Sequence, residues 1–121
     1  MPTLHGSCHC NAVRFTVETS VPLDVLDCNC SICTKKGILR LIVPEHAVTI
    51  VAGADALATY TFGTHTAKHM FCRTCGIHPF YRPRSHPDAW DVNARCLDDA
   101  PPFTPRAFDG AQWEQAIDSI R

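Results

Sequence analysis

Cys72-Arg73-Thr74-Cys75-Gly76 sets two thiols three residues apart and follows the second with a glycine. Such a pair is half of a tetrahedral zinc site, because zinc favours soft thiolate ligands and a short chelating loop supplies two of them without strain. Gly76 permits the tight backbone conformation required after the second ligand. The complementary pair stands near the N-terminus, in Cys8-His9-Cys10. Cys8, Cys10, Cys72 and Cys75 are therefore expected to close one structural zinc site.

Between these pairs lies Cys28-Asn29-Cys30-Ser31-Ile32-Cys33, three thiols within six residues and no fourth partner of comparable spacing. Three protein ligands and an open position are the pattern of a catalytic or substrate-binding metal. Three thiolates also damp the acidity of the ion, which then favours another soft thiolate over a hydroxide. A thiol guest is expected at Cys28, Cys30 and Cys33. The competing reading is a second closed site, with Cys96 or a histidine as fourth ligand. Cys96 itself reads as a small buried apolar residue, with ligation of the middle cluster as the alternative.

The eight cysteines would suggest disulfides in an oxidising compartment and metal in a reducing one. Met1-Pro2-Thr3-Leu4-His5 lacks the charged-then-apolar order of a signal peptide, so the expectation is a cytoplasmic protein that binds metal. With 121 residues, 45% hydrophobic and 19% charged, the sequence suits a single domain spanning 1–121 and excludes a disordered chain. No apolar run approaches the ~20 residues of a membrane span. A formal net charge of -1, without a cationic cluster, argues against nucleic acid as a partner.

Alternation of Val13, Phe15 and Val17 with polar residues predicts a half-buried strand. Leu23 to Leu26, Ile38 to Val43 and Val48 to Ala52 read as further strands, the last ended by Gly53. Thr59 to Phe62 and His65 to Phe71 flank Gly63-Thr64 and predict a tight hairpin that delivers its second strand into Cys72. Weaker strands are expected at Pro79 to Arg82 and Asp91 to Ala94. Trp113, Ala116, Ile117 and Ile120 recur at helical spacing after Asp109, a candidate cap. The organisation is mainly antiparallel β with one short closing helix.

His65 and His69 are spaced i, i+4, but no glutamate follows His65 as in H-E-x-x-H, so surface or packing roles are expected. His9 reads as an exposed residue beside the first site. Ser31, Lys35-Lys36, Arg82 and Arg84 lie close in sequence to the thiols, where cations would hold the carboxylates of a thiol peptide; Ser31, Lys35 and Arg82 are the substrate-binding candidates. Phe80, Tyr81, Trp90 and Trp113 read as core or pocket wall.

The order Gly6-Ser-Cys-His-Cys-Asn-Ala-Val-Arg-Phe15, Cys28-Asn-Cys-Ser-Ile-Cys-Thr-Lys-Lys36, Tyr60-Thr-Phe-Gly-Thr-His65, Phe71-Cys-Arg-Thr-Cys-Gly76, Phe80-Tyr-Arg-Pro-Arg-Ser85 and Phe108-Asp-Gly-Ala-Gln-Trp-Glu114 resembles the glutathione-dependent formaldehyde-activating family, which also includes the domain of centromere protein V. The resemblance implies several coiled antiparallel sheets and two zincs, a structural one on Cys8, Cys10, Cys72 and Cys75 and a second on Cys28, Cys30 and Cys33. It further implies a carbon-sulfur lyase reaction that forms S-hydroxymethylglutathione from glutathione and formaldehyde. Asn11 replaces a common glycine, and asparagine tolerates a left-handed backbone. Asn29 stands where histidine is common and is similar to the centromere protein V branch, so a non-catalytic zinc module that binds a protein partner is the alternative. An exposed three-thiolate group loses zinc and oxidises readily, so the second zinc is expected to be labile.

Overall fold

The computed structural model describes residues 1–117, and short strands dominate them. β1 (Thr3–Ser7), β2 (Arg14–Glu18) and β5 (Val48–Ala52) form one sheet in the order β1-β2-β5, antiparallel throughout. β3 (Leu26–Cys28), β4 (Arg40–Val43), β8 (Phe80–Tyr81), β9 (Trp90–Asn93) and β10 (Arg106–Phe108) form a second, ordered β10-β3-β4-β9-β8. Its one parallel pairing joins β10 to β3 and sets Phe108 opposite Cys28. β6 (Leu57–Tyr60) and β7 (His69–Cys72) make a separate antiparallel pair. Among the described residues there are two short α-helices, α1 (Ser31–Lys36) and α2 (Trp113–Ala116). No helix among the described residues is long and apolar enough to cross a membrane.

The core follows from alternation. Phe15 and Val17 of β2 point inward with Val13, and Phe80 meets Phe15 edge-on at 5.2 Å and Trp90 at 5.0 Å. Gly6 of β1 lies so close to the Phe15 ring that any Cβ there would overlap it. Full burial of such side chains contributes about 1.5–3 kcal/mol each. A smaller apolar cluster of Leu26, Cys28, Cys33 and Phe108 surrounds the middle thiols.

Several sequence expectations shift in detail. The strand expected over Leu23 to Leu26 runs instead over Leu26–Cys28, and buried Leu23 and Val25 precede it. The tight turn at Gly63-Thr64 is an eight-residue connection, residues 61–68, in which Gly63 and His65 both adopt left-handed backbone at φ 61° and 58°. Thr61 and His65 side chains hydrogen-bond across it at 2.7 Å, which favours the wider loop. The thiol cluster opens a helix rather than a loop: Cys30 precedes α1, and Gly37 ends it with a left-handed φ of 68°. Asp109 does not cap the C-terminal helix; its carboxylate accepts from Asn29 Nδ2 at 3.0 Å. Ile120, the last position of the expected helical stripe, lies outside the described residues.

Candidate functional site

All eight cysteines are free, and seven of them fall into two compact groups. The first is Cys8, Cys10, Cys72 and Cys75, whose sulfurs all lie within 4.8 Å of one another. The Cys8–Cys10 and Cys10–Cys72 sulfur separations are both 3.7 Å. A disulfide would need about 2.05 Å, whereas a tetrahedron of Zn–S bonds of about 2.3 Å has edges of about 3.8 Å. The donor set and its spacing fit a zinc ion. The loops supply the second requirement, amide donors to thiolate. Val13 N–H donates to Cys8 Sγ at 3.3 Å. Burial raises the Cys75 thiol, but amide donors led by Ile77 and Cys10 outweigh it and bring it down to about 6. Gly76 holds φ 79° and its N–H donates to the Cys72 carbonyl at 2.7 Å, the knuckle turn that its glycine allows. Asn11 takes φ 65°, the left-handed backbone expected of it.

The second group is Cys28, Cys30 and Cys33, again within 4.8 Å of one another. β3 delivers Cys28, and the first turn of α1 folds Cys33 back onto it, with the Thr34 N–H donating to the Cys30 carbonyl. Hydrogen bonds from the Cys30 and Cys33 thiols pull Cys28 far down, and the contact with Cys28 pushes Cys30 and Cys33 up. Three sulfurs that share protons this closely suit a cation that displaces those protons. Among the described residues no fourth cysteine, histidine or carboxylate joins the group. Cys96 stands apart from both groups, buried, with its thiol directed at the His78 carbonyl at 3.8 Å and its ionisation raised to about 12 by burial.

The C-terminal segment presses on these thiols. Asn29 Oδ1 accepts from the Ala111 N–H at 2.8 Å, and the Asn29 N–H donates to the Phe108 carbonyl at 3.3 Å. Gly110 is thereby held against Cys28, where a Cβ would overlap the sulfur.

The three thiols open onto a cavity of about 410 Å³. Its wall takes Ser31 and Ile32 from α1, Phe62 to Thr64 from the connection, and Arg40, His69, Tyr81, Arg84 and Trp113 from scattered positions. Beneath it, Arg40 donates to Asp91 at 2.6 Å, and both side chains are nearly excluded from solvent. Burial raises the Asp91 carboxyl, and opposite Arg40 it remains the partner that lifts the arginine. The Tyr81 hydroxyl lies 3.9 Å from Cys33 Sγ, and burial holds its ionisation well above the usual range. His69 is stacked between Phe62 and Tyr81, at centroid distances of 5.4 and 5.1 Å. Burial, then the charges of Lys36 and Arg40, bring its imidazole down to about 4.

Of the expected substrate contacts, Ser31 lines this cavity, whereas Lys35 and Arg82 do not. Arg82 is engaged elsewhere: it donates to Glu45 at 3.0 Å and to the Ala89 carbonyl, and it lies 3.6 Å over the Trp90 ring. Arg84 takes the place on the wall, its guanidinium 3.7 Å over Trp113. His9 is exposed, His65 is exposed, and His69 is buried.

A family profile described as "Glutathione-dependent formaldehyde-activating enzyme" matches residues 3–116. The chain belongs to the glutathione-dependent formaldehyde-activating family. It is 34% identical over 80 residues to a curated Halomonas elongata protein that carries the same family name. That match covers 60% of this chain and 51% of the relative, so the aligned part spans about half the length of that protein. A crystal structure of a Rhodobacter sphaeroides protein is similar over 82% of this chain and 92% of its own, with 40% identity and a TM-score of 0.75. The two cysteine groups of this family member are thus set in a fold shared with a solved relative.

Proposed function

We propose that the chain acts as one unit that holds two zinc ions, a structural one on Cys8, Cys10, Cys72 and Cys75 and a substrate-binding one on Cys28, Cys30 and Cys33. Its activity would be that of a carbon-sulfur lyase, joining glutathione or a similar small thiol to formaldehyde or another small aldehyde, or releasing the aldehyde from the adduct. The observation that carries this reading is a group of three thiols, with no fourth ligand among the described residues, facing a cavity of about 410 Å³. A zinc ion held there would keep an incoming thiol ionised at neutral pH.

The residues of the chain do the rest. Phe62, Tyr81 and Trp113 supply an aromatic wall against which the adduct would pack. Arg84, over the Trp113 ring, and Ser31 at the start of α1 are positioned to bind the carboxylates of a thiol peptide. Arg40 and Asp91 pair with each other under the cavity, so neither side chain is free to bind the substrate directly. Eight free thiols persist in a reducing compartment, which supports a cytoplasmic location.

The test is the rate of S-hydroxymethylglutathione formation and breakdown, followed by NMR magnetisation exchange at neutral pH with and without zinc-loaded protein. Exchange faster than the spontaneous rate, lost in Cys33→Ser while the fold persists, supports the reading. No acceleration by the wild type, or full activity in Cys33→Ser, contradicts it.

A further inference from the structure

The buried side of the cavity contains a polar group that the fold leaves unsatisfied. His69 is only 4% exposed, yet its Nδ1 has no hydrogen-bond partner among the described residues. With no acceptor in reach of Nδ1, the ring proton is better placed on Nε2, which the packing does not seal. The ring is in contact with other aromatic rings. It sits on the cavity wall, clamped face to face by Phe62 and Tyr81 at interplanar angles of 19° and 25°. Tyr81 in turn places its hydroxyl 3.9 Å from Cys33 Sγ, so one ring separates the imidazole from the thiol group.

Several other donors on the wall are already committed. Arg40 is committed to Asp91 and Ser85, the Ser85 hydroxyl to Arg40 and His86, and the Thr64 hydroxyl to Thr66. Lys36 and Arg40 are the charged groups that act on His69, and both are cations that disfavour a second positive charge. The imidazole is therefore neutral near pH 7, with one N–H to donate and one nitrogen to accept. Neutral imidazole is a known form of electrophilic assistance to a carbonyl oxygen.

We propose that His69 is a catalytic residue of the aldehyde-transfer reaction, donating a hydrogen bond from Nε2–H, the ring nitrogen that the packing does not seal, to the aldehyde oxygen as the carbon–sulfur bond forms or breaks. This rests on the reading of the cavity as a thiol–aldehyde site. In the forward direction the thiolate sulfur attacks the carbonyl carbon, the S–C bond forms, and the C=O π pair moves to oxygen. The N–H of His69 stabilises the charge developing on that oxygen. The oxygen then takes a proton from water, and the hydroxide so formed is neutralised by the proton that the thiol gave up on ionising. The imidazole keeps its own proton throughout. In reverse, the hydroxyl of the adduct loses its proton to water, and the same hydrogen bond supports the alkoxide until the S–C bond breaks.

The test uses zinc-loaded and cobalt-substituted protein, with glutathione and formaldehyde as probes. His69→Phe preserves the ring stack and removes the donor; His69→Gln restores a donor of similar reach. The expected result is that His69→Phe binds two metals and gives the wild-type cobalt response to glutathione, while kcat falls about 100-fold with little change in KM for glutathione. His69→Gln recovers part of kcat. Independently of turnover, the imidazole ¹⁵N resonance of wild-type His69 should move when formaldehyde is added to the glutathione-loaded protein. Wild-type kcat in His69→Phe, or an unmoved ¹⁵N resonance during turnover, overturns the assignment. A wild type that neither accelerates the reaction nor responds to glutathione overturns the underlying reading and this assignment with it, and is distinguished by the failure of the unmutated protein.

Discussion

Replacing Gly110 with alanine should empty the second metal site while leaving the first intact. The added Cβ would overlap Cys28 Sγ and stand 3.2 Å from Cys30 Cβ. Neither side has room to retreat. Phe108 is paired with Cys28 through the β10–β3 ladder, the Asn29 N–H donates to the Phe108 carbonyl, and the Ala111 N–H donates to Asn29 Oδ1 at 2.8 Å. The sulfur must therefore move by roughly an ångström, several times the ~0.2 Å latitude of a good metal–ligand distance. Displacements of this kind in the shell around a metal reduce affinity about 10–100-fold, equivalent to about 1.4–2.8 kcal/mol. The assay is metal content after dialysis against a graded chelator, paired with the thiolate-to-cobalt absorption of the substituted protein. Gly110→Ala should retain one tightly bound ion and lose the second at a chelator strength that the wild type withstands. A variant that holds both ions with wild-type affinity and spectrum would refute the packing argument.

Other consequences follow from the same geometry. Asp91→Ala leaves the Arg40 guanidinium buried without its partner and should lower stability by about 3–5 kcal/mol in urea unfolding; a loss below about 1 kcal/mol would mean that the pair contributes little. His69 and His78, held at about 4 and about 3 by burial and by the charge of Lys36, bind protons more readily when unfolded. Their contribution is complete above the unfolded value of about 6.5 and is lost as pH falls toward the folded values, by up to about 1.4 kcal/mol per pH unit for each histidine. The urea midpoint should therefore fall between pH 6.5 and 5 less steeply in His69→Phe than in the wild type, and equal slopes would contradict the neutral, buried state of His69. Cys72→Ser should unfold the domain, because a structural zinc contributes folding energy directly, whereas Cys33→Ser should keep the circular dichroism of the wild type and lose activity; the opposite pattern would reverse the roles of the two sites.

The grouping of the thiols was the legible part of this sequence because chelating spacing is local: C-x-C, C-x-x-C and C-x-C-x-x-C are each read within six residues. β5 was legible at its exact bounds because Gly53 ends a β-branched run. β1 was missed because its inward positions are Leu4 and Gly6, and glycine is there to admit the Phe15 ring, a tertiary requirement invisible in a window of sequence. β10 has three residues and is defined by parallel pairing with a strand some eighty positions earlier. The cavity wall was hidden for a similar reason. Arg40 stands in an otherwise apolar strand with no local sign of a partner, but it is the buried partner of Asp91. His69 looked like a spare histidine, and only the pairing of Tyr60 with His69 and the stack on Tyr81 bring it to the thiols. Gly110 belongs to a stretch that carries the family resemblance, but its packing role was hidden, since that role depends on the sulfur it faces.

The most direct test of the account is metal content and thiol response in the unmutated protein. Anaerobically purified chain should contain two zinc ions, and cobalt substituted at the Cys28, Cys30 and Cys33 site should change its thiolate-to-metal absorption when glutathione is added while the other site stays unchanged. Two metals with no spectral response to glutathione would contradict an open thiol-binding site and leave two closed structural centres.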